Sequence, residues 1–220
     1  MYLSRLMLSD RAPEHNRFWQ IGQPYALHQE VWRLQDLPKE ASRDFLFRLD
    51  MGSGRPTLLI LGPRPCVDDS GLWNVETKPF QPKLSEGQML HFRLRANPVL
   101  RQGHVRHDVV MHAKVLARTK GKTSKDLNRI EHAQGAGETW LEARSERNGF
   151  RLIDVRVEGY RVVKFQKNSR KQKHQIRFGQ VDFEGRMEVK DPSKLIRTLC
   201  TGLGPSRAFG CGMILVRRAD

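Results

Sequence analysis

At 220 residues the chain can hold one large domain or two small ones with true cores, and its 38% hydrophobic content lies below most globular proteins but above disordered chains. No apolar run approaches the roughly eighteen residues of a membrane span, and the opening segment is too short and too soon polar for a secretory signal, so a soluble, cytoplasmic protein is expected. Lys plus Arg number 39 against 24 Asp plus Glu, a formal charge of +15, which suits a polyanionic partner.

Taken in chain order, Met1–Leu8 is apolar enough for a first strand, although its alternation is untidy. Residues 11–23 read as a loop. Pro24 can open a helix, and Ala26, Leu27, Val31 and Leu34 give it an amphipathic spacing up to about Leu34. Phe45–Asp50 and Thr57–Leu61 read as strands joined through a Gly/Pro turn. Residues 62–88 carry scattered prolines and little periodicity. Met89–Ala96 is the cleanest strand, with Leu90, Phe92, Leu94 and Ala96 on one side and His91, Arg93 and Arg95 on the other.

Residues 99–123 are basic and poor in aromatics, as a linker and mobile loop would be. Lys125–Glu146 has helical composition interrupted by Gly135 and Gly137, which predicts two helical pieces. Phe150–Phe165 and His174–Val189 form two long strands around a basic tip, and a parity switch at Gly179 suggests a bulge. Asp191-Pro192 caps a helix that Gly202 ends, and Met213–Val216 is a final strand. These elements predict an α+β fold of two tandem ferredoxin-like (RRM-like) domains, residues 1–98 and 99–220.

The charge is unevenly spread. From Gly159 to Val181 there is no acidic residue, yet Arg161, Lys164, Lys167, Arg170, Lys171, Lys173 and Arg177 fall there. Self-repulsion makes such a ribbon costly unless phosphates supply counter-charge, and an A-form duplex, read by shape and backbone, is a suitable partner. A solvated charged surface is the plainer alternative. The segment Gly202–Gly212 has four glycines with Arg207 among them, and would let backbone approach a phosphate; a tight helix-to-strand turn accounts for the glycines equally well. It is neither a dinucleotide-binding fingerprint nor a Walker loop.

Cys66, Cys200 and Cys211 form no CxxC pair and read as reduced, structural thiols. His104, His107 and His112 share a basic loop and make a poor cation cage, and Glu131-His132 lacks the second histidine of a zinc helix. No carboxylate cluster for metal-assisted cleavage is visible, so no metal or other cofactor is expected. A nuclease of this composition would rely on side-chain acid–base chemistry, for which attack by the RNA 2′-hydroxyl is the available route. His28, with Tyr25 one helical turn before it, is a candidate, though a lone histidine is as readily structural.

Met1–Ser4, Pro24–His28, Phe92–Pro98, Phe183–Gly185 and the closing glycine segment together resemble CasE, the CRISPR-repeat endoribonuclease family of the type I-E Cascade complex, in order along nearly the whole chain. The resemblance implies a repeat-RNA hairpin as substrate and retention of the product with the other Cascade subunits, the free protein being a monomer. It maps the catalytic histidine onto His28 and its neighbouring tyrosine onto Tyr25, and places Arg33 where some relatives carry a basic active-site residue. RNA contacts fall on Lys164, Lys167, Arg170, Lys171, Lys173 and His174 of the hairpin, and on Gly204 and Arg207 of the glycine segment. Residues 99–123 do not match the relatives. Cleavage would leave a 2′,3′-cyclic phosphate and a 5′-hydroxyl. The rival class is a non-catalytic hairpin-RNA-binding subunit; a structural complex subunit is the third, permitted by charge alone.

Overall fold

The computed structural model describes residues 1–220 apart from 39–40, 53–54, 120–128, 169–172 and 220; for 129–131, 167–168 and 173–174 it describes backbone alone. Two four-stranded antiparallel sheets carry the fold.

The first contains β1 (Tyr2–Leu8), β2 (Leu46–Asp50), β3 (Thr57–Gly62) and β4 (Trp73–Pro79), in the order β2-β3-β1-β4, with α1 (Pro24–Leu34) packed on one face. Leu6, Leu58, Ile60 and Phe47 meet Leu27, Val31 and Leu34 of α1 there. The other face is covered as well: Leu3, Leu46, Leu59 and Leu61 pack with Met213 and Leu215. Cover on both faces explains why β1 and β3 read as apolar runs rather than clean alternations.

The second sheet contains β5 (Met89–Ala96), β8 (Phe150–Asn168), β9 (Lys173–Val189) and β10 (Ile214–Arg218), in the order β10-β5-β9-β8. Between β5 and β8 come β6 (Val99–Gln102), β7 (Val105–Asp108), α2 (Val109–Thr119) and α3 (Arg129–Ser145), and α4 (Pro192–Thr201) precedes β10. Both sheets have the strand order of a ferredoxin-like unit, last-first-third-second, so the expected fold class holds. The first unit has no helix between β3 and β4.

Several expectations need correction. β5 is a strand as expected, but it pairs with β9 and β10 rather than closing the first sheet, and the change of sheet falls between Pro79 and Met89, ahead of the boundary expected near residue 100. The strand that completes the first sheet is β4, which pairs with β1 from Tyr2↔Pro79 to Leu8↔Trp73. It is an edge strand facing solvent along most of its length, so only Trp73 and Val75 pack inward and no periodicity marks it. Residues 99–119, expected as linker and loop, form a hairpin turning at Gly103 (φ +58°) and then α2; residues 120–123 lie outside the described residues.

α3 runs unbroken through Gly135 and Gly137. A Cβ on Gly137 would come within 2.8 Å of Val157, so the glycine lets the helix lie close on the sheet instead of ending it. The bulge sits on β8, where the register shifts between Glu158 and Arg161 and Gly159 has φ +62°, not at Gly179 of β9. The parity switch along β9 records a change of cover: Val181 and Phe183 face the helices, whereas Phe178 on the opposite side packs on Phe209.

Candidate active site and RNA interface

Pro24 occupies the first turn of α1, where its missing N–H costs nothing, and Leu27, Val31 and Leu34 commit one stripe of the helix to the core. Tyr25, His28 and Trp32 then share another stripe, at spacings of three and four residues. His28 stacks on Tyr25 (ring centroids 6.3 Å apart) and meets Trp32 edge-on at 5.9 Å. Across from this stripe stands a short 3-10 turn, Arg207–Phe209, within the glycine segment. His28 Nδ1 lies 3.0 Å from the Ala208 carbonyl oxygen, and its ring is 5.8 Å from that of Phe209. A carbonyl only accepts, so Nδ1 carries the proton and the neutral imidazole has its lone pair on Nε2. The ring is half-buried, between the first unit's helix and the second unit's loop.

The glycine segment is a braced turn. Arg207 Nε donates to the Gly204 carbonyl at 2.9 Å, and Asn97 Nδ2 donates to Ser206 Oγ at 2.8 Å, which ties the Ala96-Asn97-Pro98 corner to the loop. Gly210, directly after Phe209, sits at φ +78°, a conformation few side chains tolerate. Arg43 is a second cation beside Arg207: partial burial, then the Arg207 charge, pull its guanidinium below the usual arginine range.

Phe209 joins three elements. Besides His28 it touches Phe165 of β8 (4.8 Å, edge-on) and Phe178 of β9 (5.9 Å, stacked), so the base of the basic ribbon ends beside the histidine. A cleft of about 430 Å³ opens here, lined by Pro24 and Leu27 from α1, by Arg161 and Lys164 from β8, and by Arg95, Phe209 and Gly210. Arg161 is held by Gln180 at 2.7 Å; Lys164 is exposed.

Not every expected site residue gathers here. Arg33 ion-pairs with Glu30, a buried carboxylate that also accepts from Arg17 (3.1 Å) and from Trp73 Nε1 (3.2 Å), and this group lies on a different face of α1 from His28. Lys167 pairs with His174 and Lys173 with Asn168 as the last rungs of the ribbon, their side chains outside the described residues; Arg170 and Lys171 fall wholly outside them. Phe209, Phe165, Phe178 and Arg43 were missed by sequence reasoning. The parity switch at Gly179 was a signal for Phe178, and nothing marked Arg43. Among the described residues no group of three His, Cys, Asp or Glu could hold a metal ion, and His107 and His112 simply lie ring to ring at 5.5 Å. Burial pushes the Cys211 thiol up to about 12, so it stays protonated.

A family model described as CRISPR associated protein matches residues 1–218. The chain belongs to this family. Within it, the chain is 30% identical over 231 residues to the CRISPR-associated endoribonuclease Cse3 of Thermus thermophilus, covering 98% of this chain and 99% of that one. It is also 30% identical over 218 residues to the Cascade subunit CasE of Escherichia coli, covering 97% and 98%. The structure resembles Thermus thermophilus Cse3 bound to an RNA representing a pre-cleavage complex, with a TM-score of 0.73, 29% identity and 98% of each chain covered. No helix among the described residues is long and apolar enough to cross a membrane.

Proposed function

We propose that this CRISPR-associated protein is an endoribonuclease that binds the CRISPR-repeat RNA hairpin, cuts it once with His28, and stays with its product among the Cascade subunits. The observation that carries this is the Nδ1–Ala208 hydrogen bond, which fixes the ring beside the ribbon base with the basic nitrogen at Nε2. Nε2 takes the proton of the 2′-hydroxyl, the 2′-oxygen attacks phosphorus, and the bond to the 5′-oxygen breaks, with that oxygen taking a proton from water. The ends left are a 2′,3′-cyclic phosphate and a 5′-hydroxyl. Tyr25 positions the imidazole, and Lys164 with Arg161 stabilises charge building at phosphorus, a task Arg33 is too far round α1 to share. Lys167, Arg170, Lys171, Lys173 and His174 of the ribbon hold stem phosphates, while Gly204 and Arg207 shape the turn on which the cut strand rests.

The experiment is single-turnover cleavage of the host's CRISPR-repeat hairpin. His28→Ala binds the hairpin as wild type does and cleaves at least about a hundredfold more slowly, as loss of a general base predicts. A 2′-deoxy nucleotide at the scissile position stops cleavage, and EDTA leaves the rate unchanged. Cleavage of the 2′-deoxy hairpin would overturn the mechanism; wild-type binding without any cutting would make the protein a hairpin-binding subunit.

A further inference from the structure

A second, larger cleft of about 580 Å³ lies on the other flank of Phe209, within the size range of sites that enclose small ligands. Its walls are the rings of Tyr160, Phe178 and Phe209. Tyr160 is fixed in place, its hydroxyl donating to Asp108 Oδ2 at 3.1 Å. Asp108 is held in turn, its Oδ1 accepting from the backbone N–H groups of Val110 and Met111 at the start of α2. The cleft's one carboxylate keeps its charge but is outnumbered: Arg106 and Arg177 at the rim are exposed and form no ion pair among the described residues. At the floor Asn97 is 6% exposed. Its amide nitrogen serves Ser206, but Oδ1 has no partner among the described residues; whichever way round the amide stands, one of its two polar atoms is left over.

Aromatic walls, a leftover buried amide atom and two guanidiniums against one carboxylate describe a site for one planar, hydrogen-bonding, anionic unit. We infer that this cleft takes a single unpaired nucleotide of the bound RNA, next to the scissile phosphate: its base stacked against the aromatic walls and edged onto Asn97, its phosphates met by Arg106 and Arg177. Unstacked bases are the part of an RNA that proteins read in this way. Phe209 places the nucleotide, since one of its neighbours is the His28 ring and it borders both clefts. Extruding that nucleotide would pull the strand out of A-form at the bond to be cut and help bring the 2′-oxygen into line. The inference rests on the endoribonuclease reading above.

The test measures binding of a CRISPR-repeat hairpin made uncleavable by a 2′-deoxy scissile nucleotide, with each nucleotide flanking that phosphate replaced in turn by an abasic residue or by 2-aminopurine. At one position the abasic residue weakens wild-type binding about tenfold, at the lower end of what base–aromatic stacking contributes, and 2-aminopurine is quenched on binding. The abasic penalty falls below about twofold in Phe178→Leu, which removes the ring but keeps apolar bulk. It persists in Arg106→Ala/Arg177→Ala, which instead weakens binding of every probe and lowers its salt dependence. No abasic penalty at any flanking position, or the same penalty in Phe178→Leu, overturns the inference and leaves the cleft to a protein partner. Because the probe is never cut, this outcome is independent of whether His28 cleaves.

Discussion

Arg33 and His28 stand five residues apart on α1, which puts them about 140° apart around the helix axis. His28 looks across at Ala208, whereas Arg33 compensates the buried Glu30 carboxylate together with Arg17 and Trp73. Arg33 is 55% exposed and Arg17 keeps the carboxylate paired, so Arg33→Ala costs about 1 kcal/mol. That lowers Tm by roughly 2–4 °C for a chain of this size. The single-turnover cleavage rate, measured well below Tm, stays within about twofold of wild type. A rate loss of tenfold with unchanged Tm would return Arg33 to the catalytic set. Family resemblance selected His28 and Tyr25, but a motif position carries no azimuth; which face Arg33 serves depends on where Glu30 is buried, and that is decided by β4, a strand the sequence hardly marks.

At the scale of elements, periodicity located α1, β1, β2, β3, β5, β8, β9, α4 and β10 because each has at least one face in a core. It failed where burial does not alternate, in the solvent-facing edge strand β4 and in the polar β6–β7 hairpin. The assignment of β5 to the wrong sheet has a different origin: a strand's pattern reports its two faces but not its neighbours. The glycine segment was legible as unusual, and its conformation makes it specific. Gly210 has φ +78° and its nearest outside neighbour, a Phe47 ring carbon, is 3.4 Å from where a Cβ would stand, so strain in Gly210→Ala comes from the backbone and not from crowding. The left-handed conformation costs roughly 1–2 kcal/mol for a residue with a Cβ. Relaxing it turns the peptides of the Arg207–Phe209 turn and with them the Ala208 carbonyl that sets the His28 tautomer. Gly210→Ala is therefore expected to slow cleavage about tenfold and to leave hairpin affinity within about threefold, a split that single-turnover rates and filter binding resolve. Equal losses in both would mean that the turn holds RNA and does not position the imidazole.

The whole molecule brings the site together from two units, with the histidine on the first and its hydrogen-bond acceptor on the second. What locks the units is the face between the sheets. Around the apolar contact of Leu46 and Leu61 with Met213 lies a charged layer: Arg48, 2% exposed, reaches Asp50 at 2.7 Å and Asp182 at 3.6 Å, while Arg95 bonds Asp182 at 2.9 Å and the Leu49 carbonyl at 2.7 Å. Asp182 comes from β9 and Asp50 from β2, so the layer stitches the two sheets with charge-assisted bonds whose directions fix their orientation. Burying Arg48 is tolerable only because carboxylates surround it, and burial still lowers its guanidinium from the usual arginine range against their pull. Removing Asp182 leaves two arginines facing one carboxylate. Asp182 is 33% exposed and Asp50 remains, so Asp182→Ala costs about 2 kcal/mol, less than the roughly 3–5 kcal/mol of breaking a fully buried pair. The expected Tm loss is roughly 4–8 °C. Far below that Tm the units still dock through the apolar contact, but with looser orientation, and the His28–Ala208 distance is what suffers. Cleavage should slow about tenfold while the ribbon, which belongs to one unit, binds the stem with an unchanged salt slope. Asp182→Asn, which keeps the acceptor oxygen for Arg95, should recover most of the rate. An Asp182→Ala protein that is less stable yet cuts at the wild-type rate in the cold would show that the apolar contact alone sets the angle between the two sheets.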